Sequence, residues 1–341
     1  MFLKRLAVTF SLLLTTPVVA EDFYKSKQIN LIISAGAGGG FSTYAQVFAP
    51  YLSKYIPGNP NINLQNMTGA GGIRAMQYLY NIAPKDGSVI GLVHSTVPFA
   101  PLYGLKGATF NPQEMNWIGS INSTEAICVS WNNTGIKTWE DVLNKEYIVG
   151  TSGAGAQSET IPAMINKLFG TKIRVISGYV GGNDIFLAME RGEIQGRCGS
   201  IISTINSTRP DWFSSNRVSV PITITLRRSI YFPDIPAIYE LAKDERTKQL
   251  LKLIIVPLQL DRPLLTTPGV PPERVAILRK AFHQAMNDTD FIADAIKFNL
   301  EINEISGEEI QNILKETYNT PPEIIKEAIE AMNLTGSTTE K

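Results

Sequence analysis

Between Gly36 and Gly40 the chain places four glycines in five positions, within the stretch Ser-Ala-Gly-Ala-Gly-Gly-Gly-Phe-Ser-Thr that ends at Thr43. Such a loop can cradle a phosphate, expose a nucleophile or offer backbone amides to another anion. The helical pattern that follows explains why. A helix N-terminus leaves its first N–H groups unpaired and carries a partial positive charge of roughly +0.5, and glycine lets a ligand approach that backbone. The same grouping returns at Gly69-Ala-Gly71-Gly72, in Thr-Ser-Gly-Ala-Gly-Ala from Thr151, and at Gly181-Gly182. One such loop can be a plain tight turn; four of them at strand ends, facing one crevice, are harder to explain that way.

The enzymatic versions of these loops fail position by position. A dinucleotide fingerprint GxGxxG begun at Gly36 meets Phe41 at its last glycine, and begun at Gly38 it meets Thr43. The phosphate-binding GxxxxGK[ST] is missing, because the chain contains no Gly-Lys-Ser or Gly-Lys-Thr. A nucleophile elbow GxSxG is approached only by Gly150-Thr-Ser152-Gly-Ala154, which ends in alanine. Ser152 would also need a base, and the histidines are His94 and His283, the latter on an apolar-periodic helix where packing or surface exposure accounts for it. Two histidines and two cysteines far apart show no metal-ligand spacing, so no metal and no cofactor are expected. Glu308 and Glu309 belong to a helix start.

Strands and helices alternate around these loops. Apolar runs over residues 29–34, 62–67 and 88–93 each lead into a polar or glycine-rich loop, and the first loop leads into a helix over 41–55 in which Pro50 should kink the axis. Residues 117–131 read as a strand crossing to a second lobe, where the pattern restarts from Tyr147 and again from Lys172. Residues 219–226 read as the strand that returns. The remainder reads as helical, with Pro271-Pro272, the Ser306/Glu309 capping pair and Pro321-Pro322 as helix starts and a frayed end from Gly336. This alternation predicts an α/β fold.

The chain of 341 residues has a net charge of zero, 44% hydrophobic and 18% charged residues, which suits a globular core and provides no basic footprint for nucleic acid. Lys4 and Arg5, an apolar core over 6–14 and small residues up to Ala20 predict a secretory signal peptide cut after Ala20. In the oxidising compartment this implies, Cys128 and Cys198 have one intramolecular pairing open to them, closing a loop of about 70 residues and contributing roughly 4 kcal/mol. Two separate buried thiols are the alternative.

At family level, five stretches in conserved order, among them Asn-Leu-Ile-Ile-Ser-Ala-Gly-Ala-Gly-Gly-Gly, Val-Gly-Thr-Ser-Gly-Ala-Gly-Ala and Gly-Tyr-Val-Gly-Gly-Asn-Asp, resemble the Bug-like substrate-binding receptors of tripartite tricarboxylate transporters. The resemblance spans nearly the whole mature chain. It implies a two-lobed periplasmic binding protein (type II-like) whose cleft closes on a small carboxylate and delivers it to integral membrane permease subunits, without chemistry and without a cofactor. The expected division is 21–125 plus 227–341 for lobe 1 and 126–226 for lobe 2, acting as a monomer with no nucleic-acid partner.

Carried over by position, the first ligand loop supplies Gly39, Gly40, Phe41, Ser42 and Thr43, the second Gly71, Gly72 and Ile73, and the third His94 and Ser95. Lobe 2 supplies Ser152, Gly153, Ala154, Gln157, Tyr179, Gly182 and Asn183. The chain departs from the family pattern at Ile73-Arg74, where an asparagine is usual, and at Gln195, where an acid is usual; the lost carboxylate favours a more anionic or more polar ligand. Arg74 and Arg197 are the charged candidates, and Phe41, Trp131, Tyr179 and Trp212 are aromatics that could line a pocket. The rival functions are a periplasmic hydrolase using Ser152 and a binding module for a cation or an apolar vitamin.

Overall fold

A computed structural model describes residues 23–37, 40–153, 156–179 and 181–334. The expected signal peptide, the end from Gly336, and Gly39 and Ala154 lie outside these residues.

The chain opens with strand β1 (Gln28–Ile33), helix α1 (Gly40–Tyr55), β2 (Asn61–Asn66), α2 (Ile73–Asn81), β3 (Val89–Leu92) and β4 (Asn116–Ser123). A second group follows: β5 (Ala126–Trp131), α3 (Trp139–Asn144), β6 (Tyr147–Thr151), α4 (Gln157–Phe169), β7 (Ile173–Ser177), α5 (Gly182–Glu190), β8 (Gly196–Ile201), α6 (Ile202–Thr208) and β9 (Val218–Ile224). The last part carries α7 (Glu245–Gln259), β10 (Leu260–Thr266), α8 (Pro272–Met286), α9 (Thr289–Lys297), β11 (Ile305–Ser306), α10 (Gly307–Tyr318) and α11 (Pro322–Ala331).

These strands form two sheets, in the orders β11-β4-β10-β3-β1-β2 and β7-β6-β8-β5-β9. β1 runs parallel to β2 and β3, and β6 parallel to β7 and β8. Parallel strands bury both faces, which is why Val89-Ile-Gly-Leu is buried throughout. Helices cover the sheets. In the first, Phe48 of α1 meets Phe282 of α8 and Phe291 of α9 edge-on at 5.4 and 5.2 Å; burying such a ring contributes about 2–3 kcal/mol.

Two expectations change. Residues 117–131 are two strands, because Ser123 pairs with Leu260 in the first sheet while Ala126 pairs with Ile201 and Ile224 in the second. The chain changes sheets at Thr124 and Glu125, where the Thr124 amide donates to the Gln259 carbonyl. The 219–226 stretch forms β9, an edge strand of the second sheet antiparallel to β5, which runs back from beside Trp131 to beside Ala126 before the chain continues into α7. The supposedly helical remainder contains β10, inserted antiparallel between β4 and β3. Its Asp261-Arg262-Pro263 interrupts the apolar alternation that marks a strand, and a proline within a ladder argues against one. Pro263 is tolerated because the β3 ladder begins only at Leu264.

Cys128 and Cys198 are joined in a disulfide between neighbouring strands β5 and β8, with Cα atoms 3.9 Å apart and both side chains fully buried. α11 packs against both α7 and α4, so late-sequence helices brace the helix that follows β6.

Candidate functional site

The register places the loops. Ile33 pairs with both Asn66 and Leu92, so β1, β2 and β3 end level and their loops emerge side by side. In the second sheet Thr151 pairs with Ser177, and the loops after β6 and β7 emerge likewise. Ligands in open α/β sheets bind beyond such carboxyl ends.

In the first loop, the Asn66 amide donates to the Ala35 carbonyl at 2.7 Å and to Ser42 Oγ at 3.0 Å, while Ser42 donates to the Gly36 carbonyl at 3.1 Å. The Ser42 hydroxyl is therefore committed to holding the loop in shape, and its residue is only 3% exposed. Asn66, absent from the sequence-based set, is the staple. Gly40 and Thr43 lie with Phe41 on the first turns of α1.

The second loop has left-handed backbone at four successive residues: Gly69, Ala70, Gly71 and Gly72, with φ of 131, 46, 61 and 100°. At Gly72 a Cβ would lie 2.9 Å from Val97 Cγ2 and 3.1 Å from His94 Nδ1, so both φ and space demand glycine. Within it the Gly72 amide donates to the Gly69 carbonyl at 3.0 Å and the Ile73 amide to the Ala70 carbonyl, which closes the loop into a tight turn at the start of α2. Ile73 begins α2 directly behind it. Arg74 is exposed, its stem 3.2 Å from the Cβ position of Gly69.

His94, with Ser95 after it, begins the third loop. Ser34 Oγ accepts from the His94 backbone amide at 3.0 Å and lies 2.8 Å from His94 Nδ1. Through these two contacts the Ser34 hydroxyl fixes the His94 ring by its Nδ1 edge. Burial holds the His94 pKa below its ordinary value, and the nearby Arg262 charge adds to this. The ring stacks obliquely on Phe41 at 4.4 Å.

Arg262, which the sequence did not single out, completes this lobe's site. Its guanidinium sits 4.1 Å from the Phe41 ring centre and 4.7 Å from that of Tyr44, and Nη2 lies 3.2 Å from the Cβ position of Gly40. A direct ion pair joins it to Asp261, which also accepts from Asn122 at 3.4 Å. Burial pushes the Asp261 pKa up and the Arg262 charge opposes this. The arginine takes a positive φ of 71°, an uncommon geometry for a long side chain and one that attends functional sites.

In the second lobe, Thr151 Oγ1 bonds Ser158 Oγ at 2.9 Å and accepts from the Gly153 amide at 3.1 Å, shaping a turn on which Ser152 is exposed. Gln157 and Gly182 begin α4 and α5, Asn183 is exposed, and a Tyr179 ring carbon lies 3.1 Å from the Cβ position of Gly150. Arg197 lies against Gly182. Trp212 is a core residue, 1% exposed between Phe186 and Trp131.

Elements of the two sheets meet around these loops. Thr96, beyond β3, and Gln157 line one cavity of about 160 Å³. The Asn206 amide of α6 reaches the Glu301 carboxylate at 3.4 Å. Both histidines have partners away from Ser152: His94 is bonded to Ser34, and His283 lies 3.0 Å from Glu304. Among the described residues, too, no cluster of His, Cys, Asp and Glu is placed to hold a metal, and no helix is long and apolar enough to cross a membrane.

Two separate α/β sheets, each with loops emerging side by side at the carboxyl ends of its parallel strands, make up a two-lobed binding-protein fold. The model for the tripartite tricarboxylate transporter family receptor matches residues 48–330, and the chain belongs to that family. An Agrobacterium vitis relative, the UPF0065 protein in the TAR-I ttuE-ttuC' intergenic region, is 27% identical over 229 residues, 65% of this chain and 63% of the relative. The chain thus spans slightly under two thirds of that relative's length. A TctC solute-binding protein from Polaromonas shares the fold with a TM-score of 0.69 and 19% identity, covering 89% of this chain and 99% of the other. An R. palustris protein with adipate shares it with a TM-score of 0.63 and 14% identity, covering 90% and 98%.

Proposed function

We propose that the chain is an exported, periplasmic receptor that captures a small organic carboxylate between its lobes and presents it to membrane permease subunits. Export would follow cleavage after Ala20, and the receptor acts as a monomer without cofactor or chemistry on its ligand. The lobes divide at residues 21–125 plus 227–341 and 126–226, a division consistent with the sheet change at Thr124 and Glu125.

The observation that carries this is the level ending of β1, β2 and β3 beneath Arg262. Backbone amides at the N-termini of α1 and α2 and a guanidinium suit one carboxylate. Gly40, Phe41, Thr43, Gly71, Gly72, Ile73, His94 and Ser95 surround it from the first lobe, and Ser152, Gly153, Gln157, Tyr179, Gly182 and Asn183 close on the remainder. Membership in a receptor family and the adipate carried by a protein of the same fold support the choice of ligand.

The test is a Ser152→Ala chain titrated with carboxylates and assayed on candidate esters. A receptor retains binding and neither chain turns over any ester. Ester turnover that Ser152→Ala abolishes would favour a hydrolase.

A further inference from the structure

We infer that Arg197 is the specificity-determining cation of the second lobe, making a direct ion pair with an acid group at the end of the ligand remote from the first-lobe loops. This rests on the carboxylate-receptor proposal and adds to it a residue and a preference for ligands acidic at both ends.

Arg197 stands on β8. Gly196 pairs with Val149 of the parallel β6, so Arg197 is level with Gly150, one residue before the carboxyl end of β6 where the ligand loops begin. Its Nη1 lies 2.6 Å from the position a Cβ would take on Gly182, at the first turn of α5. The guanidinium therefore sits in a seat that glycine leaves open. It also faces the ring of Phe186 at 5.5 Å.

What the seat lacks is an anion. The Nε atom is buried with no hydrogen-bond partner, and among the described residues the side chain makes neither a hydrogen bond nor an ion pair. The Nε atoms of Arg262 and Arg274 are likewise buried without a partner, but their guanidinium groups are engaged, Arg262 with the Asp261 carboxylate and Arg274 with the Asp86 carbonyl at 2.9 Å; Arg209 and Arg279 pair with Glu190 and Glu308. Burial pulls the Arg197 pKa down to about 10, with no neighbouring carboxylate opposing it. The guanidinium lies beside the first turn of α5, the positive end of that helix, so without an anion it adds charge to like charge. A carboxylate entering from the cleft would satisfy both, and a planar fork suits a carboxylate. Gln195, two residues before Arg197 on the chain, is occupied elsewhere: its side chain accepts from the Ile148 amide at 2.7 Å.

The experiment titrates the mature chain, Arg197→Gln, Arg197→Lys and Gly182→Ala with adipate and hexanoate, six-carbon acids that differ in one carboxylate, and melts each ligand-free chain. The wild type should prefer adipate about tenfold or more, the ratio expected for one charge-assisted pair. Arg197→Gln should bring the ratio near one, Arg197→Lys should keep part of it, and Gly182→Ala should lower it by displacing the guanidinium. Ligand-free Arg197→Gln should melt no lower than wild type, because it relieves an unpaired buried charge. An unchanged ratio in Arg197→Gln, or a melting temperature several degrees lower, would make Arg197 a structural brace and overturn the inference.

If the wild type binds neither acid, it is the carboxylate proposal that is weakened, and Arg197 is then judged with sulfate. A sulfate-induced rise in melting temperature that Arg197→Gln abolishes supports an anion seat. A rise that survives the substitution, or no rise at all, contradicts one.

Discussion

The guanidinium of Arg262 lies 4.1 Å above the centre of the Phe41 ring, bringing a residue of β10 over the first turn of α1 across more than half of the sequence. A cation held on an aromatic face beside a helix N-terminus is a fixed receptor for an anion. It is also half of a buried pair with Asp261. Arg262→Met should weaken adipate binding about tenfold or more and destabilise the chain by about 3 kcal/mol, since the carboxylate is left buried without its partner. Adding Asp261→Asn should restore most of the stability and none of the affinity. Calorimetry and urea midpoints on the two chains separate these effects; recovery of affinity in the double variant would show that Arg262 serves Asp261 alone.

Gly72 and Gly71 offer a matched comparison. Both have positive φ, but a Cβ on Gly72 would meet Val97 at 2.9 Å whereas one on Gly71 would meet nothing within 4 Å. Gly71→Ala should destabilise by about 1 kcal/mol, the strain alone, and Gly72→Ala by about 2–3 kcal/mol with loss of ligand binding. Equal midpoints would mean the loop rearranges freely.

His94 gives the protein a signed pH dependence. Its folded pKa is lowered from 6.5 by burial and by Arg262, so below that value the unfolded chain binds a proton that the native one does not. Its contribution to stability is complete above pH 6.5 and is lost as pH falls toward the lowered folded value. In urea titrations between pH 8 and 5, wild type minus His94→Gln should decline below that point, with a slope of at most about 1.4 kcal/mol per pH unit. A difference that grows with acidity would contradict the lowered pKa of His94.

The disulfide closes 70 residues of sequence across two neighbouring strands, inside the second-sheet core. Cys128→Ala with Cys198→Ala should lower stability by about 2–5 kcal/mol. Because both sulfurs are buried, alkylation of the native chain under reductant should be slow and should accelerate with urea. Rapid alkylation without denaturant would place the bond in a region that opens readily.

Local signals were strong where the fold uses them locally. The parallel strands, the glycine loops and the helices from Pro272 and Pro322 were legible because each is a contiguous pattern of period two or 3.6 with its own start signal. The cysteine count was legible too, as one pairing was open. What escaped is long-range. β10 hides behind Asp261-Arg262-Pro263, whose charges are satisfied only by partners such as Asn122 and the rings of Phe41 and Tyr44. Asn66 reads as the polar end of a strand until the loop it staples has folded over it. The apparent single strand over 117–131 could not be split by periodicity, since burial is continuous from Trp117 to Asn122 and from Ala126 to Ser130 in both sheets.

The account stands or falls on what fills the space between the loops. The most direct measurement is native mass spectrometry of the chain recovered from periplasm, before and after denaturation. The predicted result is one small organic acid released per chain, acidic at both ends, that rebinds the stripped protein in calorimetry and binds Arg262→Met more weakly. Release and rebinding of a cation or a neutral apolar molecule, with every carboxylate in a panel of mono-, di-, tri- and aromatic acids failing to bind, would contradict it.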